Sequence, residues 1–234
     1  MREKDFKPIK KSLIALLIFS SFMCFSCVGL FTIDEARSTY EEGLSLFNQG
    51  RFSEAVPYFQ ESIRLDNDFY EARLYLGRSY LNLHDYKSAV PALKKAFSLS
   101  PRKFQKETAD LIIDALLGQA SYELRQGNIQ ASMQSIREIL ESHPETKKVK
   151  EDISNVISAV AWELYRSGKA RDAIKEYGEA IRVNPENITA YIGLARVLWK
   201  NGELLKAIEV AEKALSLDPD SKEALNVIKD LLRK

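Results

Sequence analysis

The chain has 234 residues, with 34 Lys and Arg against 33 Asp and Glu, a formal net charge of +1, two His and two Cys. So even a balance gives no field for binding DNA or RNA through bulk basic charge, and two His with two Cys leave little material for a metal site. With 29% charged and 45% apolar residues, few Gly and much Leu, Ala, Lys and Glu, the composition is that of a folded, mainly helical chain.

The averages conceal an uneven start. Residues 1–11 (MREKDFKPIKK) carry five basic and two acidic side chains, and residues 12–31 (SLIALLIFSSFMCFSCVGLF) carry no charge. A basic stretch followed by an apolar one marks an export signal or membrane anchor, so residues 1–26 are set aside as that segment and 27–35 as a short tether. Without residues 1–26, 29 basic side chains face 31 acidic ones. Both cysteines, Cys24 and Cys27, lie at the end of the apolar stretch, so no internal disulfide staples the rest of the chain. The order basic, apolar, then Cys24-Phe25-Ser26-Cys27 resembles a bacterial lipoprotein signal, with small Ser26 just before the acceptor. That resemblance implies a lipid on Cys27, traceable with palmitate; it departs from the pattern at Cys24, where an aliphatic residue is usual. Two other readings stay open. The uncharged stretch is long enough to remain as one transmembrane helix, since about 20 apolar residues span a bilayer, or a signal peptidase releases a soluble body. All three put the body on the far side of a bacterial inner membrane, in the cell envelope.

Beyond the tether the chain repeats. Gly50, Gly127, Gly168 and Gly202 follow similar tetrapeptide contexts, and His84 takes the same slot in Leu81-Asn82-Leu83-His84. Five residues after each comes a small one (Ala55, Ala89, Ser132, Ala173, Ala207), and Pro101, Pro144, Pro185 and Pro219 close four of the five units. Gly50 to His84 and Gly168 to Gly202 are both 34 residues. Leu76-Gly77-x-x-Tyr80…Ala89…Ala96…Pro101 and Leu194-Ala195…Ala207…Ala214…Pro219 resemble the tetratricopeptide repeat, a helix-turn-helix unit of that length. The resemblance implies an all-α solenoid, a right-handed superhelix of about five repeats with a C-terminal capping helix. The repeats fall at 36–69, 70–103, 113–146, 154–187 and 188–221, with the cap at 222–234.

Physical patterning supports the same division. Each half-unit carries apolar residues at i, i+3, i+4 and i+7, the stripe of an amphipathic helix. Small residues recur where paired helices must approach: Gly43, Gly77, Ala120, Ala161 and Ala195 opposite Ala55, Ala89, Ser132, Ala173 and Ala207. A Gly between helices takes positive φ, and the terminal Pro stops the second helix. Repeat three departs most from the pattern, with Gln119, Glu123, Ser132 and Ile139 at signature positions. Segments 104–112 and 147–153 contain neither Gly nor Pro and read as extensions of the following helices, from about Arg102 to Gln126 and Glu145 to Ser167. Each extension is either solvated or a dimer or partner contact.

Nothing in the sequence assembles an enzyme or a cofactor site. His84 fills a turn, His143 precedes Pro144, and there is no phosphate-cradling Gly loop, HExxH or GxSxG. A stacked array presents a concave groove lined by the first helices, and in the resembled family that groove commonly holds an extended peptide or a partner helix. Mapped here, it gives an apolar row (Phe47, Leu81, Leu124, Tyr165, Trp199), a polar row (Asn48, Asn82, Arg125, Arg166, Lys200) and a third row (Leu44, Arg78, Ser121, Trp162, Arg196). Aromatic and Arg side chains of this kind are enriched among binding hot spots. They can equally fill space between neighbouring helices. The chain thus reads as a membrane-anchored scaffold holding an envelope protein, in a role such as outer-membrane assembly, pilus biogenesis, cell-wall synthesis or transporter support. The alternative is a carrier of a small hydrophobic ligand. Ala36 stands nine positions beyond Cys27, so the tether reaches about 30 Å at most.

Overall fold

The computed structural model describes residues 34–142 and 149–233, all of whose regular structure is helical. Cys24, Cys27 and the apolar stretch lie outside the described residues, as do His143 and Pro144. The chain forms two compact units that divide after Thr108.

In the first unit, α1 covers residues 34–48, followed by α2 (Phe52–Leu65), α3 (Tyr70–Asn82) and α4 (Tyr86–Leu99). Each helix packs on its neighbour in sequence because the turns between them are short. Ser62 Oγ of α2 donates to the Ala36 carbonyl of α1 at 2.8 Å, a buried bond between the two helices. Gly43 exists for Phe59: a Cβ there would lie 2.9 Å from the ring edge. Gly77 likewise leaves room for Leu93, whose Cγ would meet an added Cβ at 2.5 Å. Around this seam Tyr40, Phe59 and Tyr75 form an aromatic layer with ring centroids 5.9–6.0 Å apart.

The extension ahead of repeat three differs from the expected single helix. Pro101 closes α4, a 3-10 turn spans Arg102–Phe104, and only then does α5 (Gln105–Arg125) begin. One side of this start packs on its own chain, while Arg102, Lys103, Gln105, Lys106 and Glu107 stay exposed. Phe104 stacks on Tyr70 at 6.0 Å, and fully buried Thr108 meets the Tyr70 hydroxyl at 3.1 Å. The turn swings the chain back onto α3, and the Thr108 hydroxyl also lies 2.9 Å from the Phe104 carbonyl.

The second unit continues with α6 (Ile129–Ser142), α7 (Lys150–Arg166), α8 (Ala170–Val183), α9 (Ile188–Lys200), α10 (Leu204–Leu217) and α11 (Lys222–Leu232). α7 pairs with α8, α9 with α10, and α10 with α11, while α9 also contacts α7 and α11. The turn glycines have φ of +75° to +87°, and His84 follows them at +56°. After Gly168, Lys169 N–H reaches back to Leu164 at 2.9 Å; after His84, Asp85 N–H makes the same bond to Tyr80. These are left-handed helix ends in which the turn residue lets the next amide satisfy an orphan carbonyl. All ten small seam residues are buried. Ser132 departs from the alanines at its slot, and its buried Oγ has no hydrogen-bond partner among the described residues. An unsatisfied buried hydroxyl costs about 1–3 kcal/mol. Ser132→Ala is therefore expected to stabilise the protein by about 1 kcal/mol, read as a raised urea midpoint at unchanged slope.

A candidate binding groove on α7 and α9

In the second unit α7 and α9 run side by side and, with the α10–α11 connection, wall an open groove of about 800 Å³. Its floor is set by a buried polar knot. Asn187 is the N-cap of α9, its Oδ1 accepting from Ala190 N–H at 3.0 Å. Its Nδ2 donates to Ser154 Oγ at 2.7 Å and Asn155 Oδ1 at 3.1 Å, both on α7. Ser154 Oγ in turn donates to the Ala180 carbonyl of α8 at 2.7 Å. One side chain thus fixes the first turns of α7 and α9 and, through Ser154, the end of α8.

Tyr177 of α8 closes the floor from below. Its ring passes directly over Gly193, whose missing side chain makes the space; a Cβ there would sit 2.6 Å from the hydroxyl oxygen. Burial pushes the Tyr177 hydroxyl up to about 12, partly countered by the positive charge of Arg196. The phenol therefore stays protonated and neutral at physiological pH. Above it, Trp162 of α7 is 43% exposed and Arg196 of α9 is exposed, both lining the groove. Asp218 and Glu223 supply carboxylates on the far wall. The result is an aromatic surface flanked by one cation, two anions and neutral hydrogen-bonding groups from Asn155 and Ser158.

Of the side chains expected from the sequence, this groove brings together Trp162 and Arg196. Tyr165, Arg166, Trp199 and Lys200 fall outside its lining. Tyr165 is half-buried with its ring 5.8 Å from Trp162, and Arg166 pairs with Glu163 at 3.0 Å. Trp199 packs against the α9–α11 core, with Lys200 Nζ 4.4 Å from its ring. In the first unit Phe47 lies edge-on to Phe52 and Tyr75, each 5.1 Å away, and half-buried Arg78 sits 5.5 Å from the Phe47 ring. Leu81 is half-buried, and Arg125 at the end of α5 is exposed. The sequence reading missed Asn155, Thr189 and Glu223, and also Ser158 with Ile192. These groups are spaced by 34 residues within each row, which is the signal that would have found them. Among the described residues no three His, Cys, Asp or Glu gather as a metal site, and no helix is long and apolar enough to cross a membrane.

The comparisons agree with this architecture. The family model described as tetratricopeptide repeat matches residues 40–102 and 159–222. A DnaJ homolog subfamily C member 7 homolog of Dictyostelium discoideum is 28% identical over 191 residues, which is 82% of this chain and 29% of that protein. Superkiller protein 3 of Schizosaccharomyces pombe is 25% identical over 188 residues, 79% of this chain and 13% of its own length. The chain thus spans less than a third of either relative. A solved TPR repeats protein from Bacteroides fragilis superposes with a TM-score of 0.62 at 15% identity, covering 85% of this chain and 98% of that one, a likeness of fold. With its repeat motif matched over more than half of its length, the chain belongs to the tetratricopeptide repeat family.

Proposed function

We propose that this protein is a scaffold of the bacterial cell envelope that holds a segment of a partner protein in the α7–α9 groove. Tetratricopeptide repeats act in protein–protein interaction, which sets the class. The observation that carries the finer reading is Trp162, a large aromatic left 43% exposed on the groove wall opposite a guanidinium that makes no ion pair among the described residues. Aromatic and Arg anchors of this kind dominate binding energies in interfaces. Trp162→Ala combined with Arg196→Ala is expected to abolish capture of the envelope partner while far-UV circular dichroism stays unchanged. Capture that survives the double substitution places the binding face elsewhere, and a stoichiometric small hydrophobic molecule co-purifying with the protein would replace the scaffold with a carrier.

The anchor in this reading is a lipid on Cys27, supported by the small residue before it and the basic, apolar stretch ahead. Radiolabelled palmitate supplied to cells is expected to enter the natural protein and not Cys27→Ala. Equal labelling of both excludes Cys27 as the sole acceptor.

A further inference from the structure

α11 copies the register of α9 at a distance of 34 residues: Asn187 and Ser221 are the N-caps, and Tyr191, Leu194 and Leu198 correspond to Leu225, Ile228 and Leu232. In α9 this apolar row is covered, with Tyr191 9% and Leu198 4% exposed; in α11 Leu225 is 37% and Leu232 70% exposed. The slot that holds a small residue in each repeat, Ala195 in α9, is Lys229 in α11. A long charged side chain at the point of closest approach disfavours docking of another helix there as α10 docks on α9.

The charges around the row have a direction. At 100° per residue, Lys222, Lys229 and Arg233 fall in one line beside the leucines, while Glu223 and Asp230 lie farther round. Glu223 faces the groove instead. Arg233 is held only loosely by Asp230, at 3.6 Å with both side chains open to solvent. Two copies meeting antiparallel through this face would set the basic line against itself, which is repulsive.

An apolar row flanked by basic side chains matches the interface of an anionic bilayer. We infer that this face of α11 rests on an anionic lipid surface, its leucines at the level of the acyl chains and its Lys and Arg groups reaching the phosphates. The inference stands apart from the groove, which opens on another face of α11.

The test uses the full chain carrying Leu232→Trp, reconstituted in phosphatidylcholine vesicles with or without phosphatidylglycerol, the emission of the unsubstituted chain being subtracted. Brominated acyl chains are expected to quench position 232 in the anionic vesicles and iodide is not. Adding Lys229→Ala should lower the docked-to-free ratio about fivefold, since one basic group near such a surface contributes about 1 kcal/mol. Full access to iodide in anionic vesicles overturns the inference, as does quenching that is indifferent to phosphatidylglycerol. Burial of position 232 by self-association in detergent, or its crosslinking in cells to a protein rather than to lipid, overturns it in favour of a second copy or a protein partner.

Discussion

Phe59→Ala is expected to lower stability by about 3–5 kcal/mol, the range for truncating a fully buried Phe. Phe59 is 0% exposed, and its ring edge occupies the space left by Gly43 on the neighbouring helix. The walls of the cavity that truncation leaves are Tyr40 and Tyr75, 5.9 Å and 6.0 Å from the lost ring. Gly43 has no side chain with which to fill it, and the two tyrosines are held by their own contacts. The site therefore collapses poorly, which puts the cost at the upper part of the range. Hydrogen exchange reads it directly, as lost protection in α1, α2 and α3. A change below about 1 kcal/mol would show that the aromatic layer does not hold these helices together.

The second large effect concerns the groove itself. Asn187→Ala removes the N-cap of α9, worth about 1 kcal/mol, together with the buried bond to Ser154 and the part-buried bond to Asn155, each worth about 1 kcal/mol net. A loss of about 2–4 kcal/mol is expected, seen as a lower urea midpoint and faster exchange in the first turns of α7 and α9. Asn187→Asp separates the two contributions. It keeps the oxygen that caps Ala190 but loses the amide donor, so the helix start survives while the link to α7 fails. If Asn187→Asp matched the natural protein, the cross-helix bonds would contribute nothing and the floor would be held by Tyr177 packing alone.

Much of the fold is legible in the residues because the same physics recurs every 34 positions. Gly50, Gly127, Gly168 and Gly202 announce the turns through the positive φ they adopt, and His84 is recognisable in their slot by context. The small seam residues announce close helix approach and are all buried. The start of α5 was less readable, since an uninterrupted helical pattern does not reveal a 3-10 turn. What shapes it is a tertiary contact, Tyr70 with Phe104 and Thr108.

The groove was legible in part for a geometric reason. Three rows of first-helix residues are equivalent by periodicity, but a helix turns only one stripe towards the cavity. Trp162 and Arg196 lie on that stripe with Asn155, Ser158 and Ile192. Trp199 is turned into the α9–α11 core, where aromatic character reflects packing. Asn187 stands two residues after Pro185, and its role rests on partners 32 and 33 positions away. Sequence spacing alone does not contain them.

The central claim is that the α7–α9 groove is where the partner sits. Photocrosslinking in cells tests it most directly, with one benzophenone side chain placed at Trp162 and, in a second variant, at Glu212 on the exposed side of α10. The account predicts one discrete protein adduct from position 162, lost with Arg196→Ala, and none from position 212. An adduct from position 212 with none from position 162 would contradict it.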